Sequence, residues 1–405
     1  MSAIGTQVRA ATKIAIVTSG LYFDRAGAVT QLRFQLLSQI AEGDIFCVAL
    51  DDETDGAWLG RFRIRALRTP ARLSGIGALR NIVRTLAYAA FVCGAALKDR
   101  ILRARRYELV ISMDPLKSGL LAWAVARIAG CRYAVEVNGN YHAAMNLIDG
   151  SARAGFVRLK ARVALSLMPF VLRRASAIKL LYDTQLDTVR EPAWLGKIRT
   201  FHDIVSTAPF RKESGGERYI LLLGYPWFLK GVDILIAAFL SIAGEFPDVS
   251  LKIVGWCTDP ARFIEMAAGH PRIHFVPSGV EHAVAATLIN RCEVLVLPSR
   301  TEAMGRVLLE AMAASRPVIG ARVDGIPRVL QHGVNGLLFA PGDAQDLARQ
   351  LRRVLADLDY GAQLGAHGKQ EVEGRLSPEA YLEQYTEFIR AALALGDGGR
   401  AEGGR

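Results

Sequence analysis

Two glutamates and a lysine are the residues through which this sequence could do chemistry. Glu302 and Glu310 bracket Gly305 in TEAMGRVLLE, and Lys230 precedes Gly231 in GYPWFLKGVD. Glu302 falls in a polar turn, whereas Glu310 falls inside VLLEAMAAS, whose composition favours helix. A helix start between two carboxylates offers unpaired N–H groups and a positive dipole end to a phosphate. The carboxylates on either side can accept hydrogen bonds from sugar hydroxyls, and Gly305 lets a ligand approach the backbone where a Cβ would stand in the way. The plain alternative is one surface glutamate and one glutamate paired with an arginine. Lys230 likewise reads as a phosphate contact or as an ordinary loop lysine.

The elements that must position these groups are short and regular. VLVLP (294–298) and PVIGA (317–321) are apolar runs of buried-strand type, GIP starts a helix with proline in its first turn, and Asn335-Gly336 is a turn dipeptide. RYILLLG supplies a strand directly before the Lys230 loop. Strand, helix, strand, helix is a parallel α/β unit, and such units bind ligands beyond the carboxyl ends of their strands.

The ordered series E-AMGRVLL-E, AMA, PV, DGIP and NGLLF resembles the nucleotide-binding half of glycosyltransferase family 4, retaining and metal-independent enzymes. The resemblance extends along almost the whole chain and is most specific over 220–345. It implies the GT-B fold: α/β, two Rossmann-like doubly wound parallel-sheet domains facing a cleft. It also implies that Glu310 holds the nucleotide ribose and that Glu302 faces the transferred sugar. Backbone N–H groups around Gly305, Arg306 and Val307 would meet sugar and pyrophosphate, with Lys230 neutralising the phosphates. Ala26-Gly27 stands where the family has a Gly-Gly loop under the donor phosphates, so Gly27 joins the donor set.

Besides Ala26, four positions depart from the pattern. Tyr225 occupies a place the family gives to arginine, and Arg306 could return the lost charge. Asn138-Gly139 replaces a histidine dipeptide near the transferred sugar, with His142 four residues on. Either Asn138 takes the polar sugar contact or His142 reaches the cleft; an asparagine can donate and accept hydrogen bonds but cannot be a general base. Asp324 stands for a glycine and Arg328 for a glutamate.

With 405 residues and 51% hydrophobic content the chain can build two ordinary α/β domains. They are expected over 1–205 and 206–376, with a helix over 377–395 crossing back to the first and a tail over 396–405 disordered by composition. Five scattered cysteines form no CxxC pair, which argues against a disulfide framework or zinc site and for a reducing compartment. DDETDG reads as an exposed loop rather than a metal site, and no metal or other cofactor is expected. No leader-like start and no run of roughly 18 to 20 apolar residues appears, so a soluble or peripheral protein is expected.

Charge is uneven. Residues 1–200 carry 29 Lys and Arg against 15 Asp and Glu, whereas the remainder carries 21 against 24. A basic first half favours an anionic partner; nucleic acid is the weakest choice, since few aromatics interleave and no binding motif appears. The stretch 152–176 reads as a long helix broken near Pro169, either an interfacial anchor or a core helix with solvated basic ends.

The expected activity is transfer of a hexosyl unit from a nucleotide diphosphate sugar to an acceptor hydroxyl with retention. The expected acceptor is a saccharide or lipid-linked saccharide of bacterial exopolysaccharide or lipopolysaccharide assembly, at the inner face of the cytoplasmic membrane. The rivals are a GT-B nucleotide-sugar epimerase or hydrolase, and a degenerate GT-B scaffold that binds without turnover.

Overall fold

The computed structural model describes residues 11–22, 27–49, 53–68, 78–102, 106–141, 154–187, 191–213 and 216–394. Stretches such as IAIV (14–17) and VLVL (294–297) are buried on both faces, as strands of a parallel sheet covered by helices must be. They organise two sheets. The first contains β1 (Thr12–Tyr22), β2 (Ala41–Ala49), β3 (Trp58–Leu59), β4 (Phe62–Arg68), β5 (Leu109–Ser112), β6 (Arg132–Val137), β7 (Ala177–Leu180) and β8 (Ile198–Thr200). Its order is β3-β4-β2-β1-β5-β6-β7-β8, with only the β3–β4 pair antiparallel. The second contains β9 (Arg218–Leu223), β10 (Val249–Val254), β11 (Ile273–Val276), β12 (Val294–Leu297), β13 (Val318–Ala321) and β14 (Leu337–Phe339). Its order is β11-β10-β9-β12-β13-β14, parallel throughout.

The strand order reverses between β1 and β5 in one sheet and between β9 and β12 in the other. At such switch points neighbouring connections leave to opposite faces and open a crevice beyond the strand ends. Lys230 follows β9 and Glu302 follows β12, so both stand at the second switch point.

Helix Pro378–Ala394 lies against the first sheet. Its Tyr381, Tyr385, Phe388 and Ile389 share a core with Ile14, Phe34, Leu109 and Phe201. The stretch around Pro169 departs from the break expected there: one helix, Ala154–Arg174, runs through the proline. Pro169 removes a helical hydrogen bond, but Met168, Val171 and Leu172 are fully buried in the first domain's core, and that burial holds the helix together. Among the described residues no helix is long and apolar enough to cross a membrane.

Candidate active site

The loops after β9 and β12 are fastened to each other. Gly231 adopts a left-handed conformation with φ 68°, and a Cβ there would lie 2.0 Å from the Pro298 carbonyl oxygen, so only glycine lets the loops approach. Arg300 donates from Nη1 and Nη2 to Asp233 at 2.8 and 2.5 Å, and its guanidinium sits 4.2 Å from the Phe228 ring centre. This latch brings Lys230 Nζ to 2.5 Å from Glu302 Oε2.

Asp324, a departure from the family pattern, is part of the same construction. Its carboxylate accepts from Thr301 Oγ1 at 2.6 Å and from Glu302 N at 3.0 Å, fixing the turn that carries Glu302. It takes up φ 43° to do so. Arg328, another departure, meets Asp183 of the first domain at 3.1 Å in an exposed pair between the two halves.

Gly305, with φ 75°, starts helix Arg306–Ala313, and a Cβ on it would press on Leu297 at 2.9 Å. Arg306 is the first helical residue; it is exposed and makes no hydrogen bond or ion pair with another described residue. Glu310 is half-buried one turn on, and its carboxylate also lacks a protein hydrogen-bond partner among the described residues. Burial pushes the Glu310 carboxyl up, against the opposing pull of Arg306 and His282.

The facing wall comes from the first sheet. Glu136 on β6 and Lys179 on β7 are registered neighbours, fully buried, with Nζ 3.6 Å from Oε2. Arg33 donates to Glu136 Oε1 at 2.5 Å, and the Tyr385 hydroxyl donates to the same oxygen at 2.6 Å. Asp203 accepts from Lys179 at 3.4 Å, and its N–H meets Met304 Sδ of the second domain at 3.2 Å. Burial pushes the Asp203 carboxyl up, but Lys179 and Arg33 outweigh it and hold the group at about 2. Glu136 is lowered in the same way: burial opposes, while Arg33 and Lys179 prevail.

Asn138 stands on this network. Its Nδ2 donates to Glu136 Oε2 at 3.0 Å and to the Met113 carbonyl at 3.1 Å, both pure acceptors, which fixes the amide orientation. Its Oδ1 is buried and has no partner among the described residues.

A cavity of about 640 Å³ joins the two walls. Asn138 and Asp203 line it from the first domain; Tyr225, Lys230, Glu302, Gly305, Arg306, Val307 and Glu310 line it from the second. Gly27 is not in the lining; it caps helix Ala28–Leu37, and Ala26 and His142 lie outside the described residues. Tyr225 is 65% exposed at the rim and brings no charge.

The family described as glycosyl transferases group 1 matches residues 217–357, and the glycosyl transferase 4-like domain matches residues 28–194. The chain belongs to glycosyltransferase family 4. Its fold is GT-B, shared with sucrose-phosphate synthase from Thermosynechococcus elongatus at 21% identity and TM-score 0.73, covering 94% of this chain and 98% of that one. Anabaena HepE in complex with UDP-glucose superposes at TM-score 0.67 and 16% identity, covering 94% and 99%. Among curated relatives, the N-acetyl-alpha-D-glucosaminyl L-malate synthase of Bacillus anthracis is 32% identical over 160 residues, 39% of this chain. That match spans 41% of the relative's length.

For this family 4 chain, the motifs name the second-domain lining and Asn138, but not Asp203 or the buried network beneath Asn138. Arg33, Glu136, Lys179 and Asp203 belong to no motif. A signal was present all the same: YAVEV and AIKLL each place one charge inside a continuous apolar strand. A charge in such a position must find a partner. The partner's identity depends on β6 and β7 being neighbours in register.

Proposed function

We propose that the chain transfers a hexosyl unit from a nucleoside diphosphate sugar to an acceptor hydroxyl, with retention and without a metal ion. The observation that carries this reading is the cavity itself: Lys230, Arg306, Glu302 and Glu310 surround one helix N-terminus and face Asn138 and Asp203. In this reading the diphosphate rests on the N–H groups of Arg306 and Val307 and on Lys230, and Glu310 takes the ribose hydroxyls. The Lys230 ammonium has three donors; one holds Glu302, leaving others for phosphate oxygens. Arg306 supplies the charge that Tyr225 lacks. Positive side chains and a helix end then stabilise the departing diphosphate, an electrostatic role.

On the sugar side, Asn138 Oδ1 accepts a hydrogen bond from a sugar hydroxyl. Asp203, held at about 2 by its cations, is a poor proton acceptor at neutral pH, and Asn138 cannot act as a base. Both points favour a front-face step. The bond from C1 to the phosphate oxygen breaks, and the acceptor oxygen bonds to C1 on the same face. The acceptor's proton passes to the departing phosphate.

The test is release of nucleoside diphosphate from UDP, GDP and ADP sugars with and without acceptor saccharides, followed by NMR of the anomeric linkage in the product. Release only with acceptor, an unchanged anomeric configuration and indifference to EDTA are expected. Release without acceptor would make the chain a hydrolase, and binding without release a scaffold.

The acceptor proposed is a lipid-linked saccharide at an anionic membrane surface, the inner face of a bacterial cytoplasmic membrane. The basic first half supports it, with 29 Lys and Arg against 15 Asp and Glu over residues 1–200. So does helix Ala78–Ile101, which exposes Val83, Leu86, Leu97 and Ile101 along one side. The carboxyl end of helix Ala154–Arg174 contributes less. Arg173 is held by Glu191 at 2.7 Å, and Arg174 stacks on Phe170 at 3.5 Å. Flotation with anionic and neutral liposomes should show salt-sensitive binding, because such attraction is screened within about 10 Å at 0.1 M salt.

A further inference from the structure

Between helices Ala78–Ile101 and Lys117–Ala129 lies a second cavity, about 330 Å³, on the face of the first sheet. Its lining is segregated. Both helices follow the carboxyl ends of strands, so their first turns lie at the cleft end of the sheet and their last turns at the far end. Thr18 at the carboxyl half of β1, Arg84 and Lys117 therefore gather at the cleft end. Beyond them the walls are Ala89, Cys93, Leu121 and Ala124, without a charge.

Thr18 is 6% exposed, and its Oγ1, beside the Tyr88 hydroxyl, makes no well-formed hydrogen bond with a described residue although it lies against this cavity. A buried hydroxyl with so poorly aligned a partner gains from a ligand atom that completes it. The groove is also joined to the active-site cleft by covalent chain. Asn138 in the cleft donates to Met113, and Asp114, next in sequence, accepts from Ser118 Oγ at 2.5 Å in the groove wall.

We propose that this groove holds the phosphate and the first apolar segment of a single-chain anionic lipid that carries the acceptor saccharide. The proposal rests on the glycosyltransfer reading and extends it to a named site. The phosphate sits among Thr18, Arg84 and Lys117, with a phosphate oxygen accepting from Thr18 Oγ1. The tail runs down the uncharged walls towards Cys93 and Ala124. The saccharide, attached on the other side of the phosphate, then points along 113–118 into the cleft, towards Asn138. Charge at one end and apolar walls at the other fit an amphiphile; they fit neither a free sugar nor a free anion.

The test uses the full chain and farnesyl phosphate below its micelle concentration, compared with farnesol and with inorganic phosphate, by calorimetry. Farnesyl phosphate should bind at least about tenfold more tightly than either fragment, since charge and apolar area act together. Ala89→Phe and Ala124→Phe place a ring in the groove from half-exposed positions, and each should weaken farnesyl phosphate by about tenfold or more. Both should leave nucleotide-sugar affinity unchanged. Lys117→Gln, a surface change, should bring farnesyl phosphate towards the farnesol value even if a filled variant proves unstable. Absence of binding to the wild type, or equal binding by all variants, overturns the proposal, as does binding to phosphatidylglycerol vesicles with none to the monomeric lipid. If the groove binds as expected but no acceptor ever elicits nucleoside diphosphate release, the transfer reading falls and the lipid site stands. Release with water-soluble acceptors alongside an empty groove removes the lipid site and leaves the transfer reading intact.

Discussion

The charges beyond the second sheet pair between the segments that follow its strands: Lys230 with Glu302 at the cavity and Arg300 with Asp233 outside its lining, each part-exposed. Those of the first sheet pair from inside adjacent strands. Glu136 and Lys179 have fully buried side chains, and Arg33 is nearly so. Loop charges keep water and rotamer freedom, so a ligand can enter their pairing. Strand charges have neither, and a buried pair broken on one side leaves an uncompensated charge. The second wall is therefore free to rearrange around a ligand, and the first is fixed. Substitutions should divide accordingly, into those that cost stability and those that cost binding.

The largest effect should come from the fixed wall. Lys179→Met leaves Glu136 and Asp203 with one cation fewer and should destabilise the chain by roughly 3–5 kcal/mol in urea unfolding. A loss below about 1 kcal/mol, the range of exposed pairs, would erase the contrast between the walls. The same wall sets an acid limit. Asp203 at about 2 and the lowered Glu136 both lie below the ordinary carboxyl values of about 4 in an unfolded chain. Their stabilising contribution is thus complete above about pH 4 and is lost as pH falls towards about 2. In Lys179→Met that acid dependence should flatten, which unfolding midpoints across this window would reveal.

Next in size is Glu310→Ala on the responsive wall. Charge-assisted hydrogen bonds are worth roughly 1.5–3 kcal/mol, so nucleoside diphosphate affinity should fall by about ten- to a hundredfold in calorimetry. Its stability should hold or rise, because burial already disfavours the ionised carboxyl in the folded chain. Lost stability with unchanged affinity would move Glu310 to the structural class and refute its ribose role.

A smaller gain is expected from Tyr225→Arg. The residue is exposed at the cavity rim, so the change adds a cation without disturbing packing. Nucleoside diphosphate should bind several-fold more tightly, about 1 kcal/mol, with a stronger salt dependence. Smallest of all is Asp324→Gly. It relieves the φ of 43° but gives up the bonds to Thr301 and Glu302, two terms of about 1 kcal/mol and opposite sign. Stability should stay within about 1 kcal/mol, while looser placement of Glu302 should appear as slower turnover.

Sequence alone determined the parts whose chemistry is local. The apolar runs of β9, β12 and β13 and the turns at Gly231 and Gly305 are legible because strand burial and left-handed backbone leave their mark on neighbouring residue types. The order of Glu302, Gly305 and Glu310 along one turn and helix sufficed to group them on one side of a cavity. Only the tertiary structure decided the opposite wall. Arg33, Glu136, Lys179, Asp203 and Tyr385 come from five separate elements or loops; strand register joins Glu136 to Lys179, and the packing of two helices and a loop on the sheet brings the others. Asp324 and Arg328 read as departures from a pattern until Thr301 and Asp183, distant in the chain, supply their partners. Local sequence encodes backbone geometry and burial through residue type, whereas a long-range charge pair leaves each member looking only like a misplaced polar residue until the fold closes the distance.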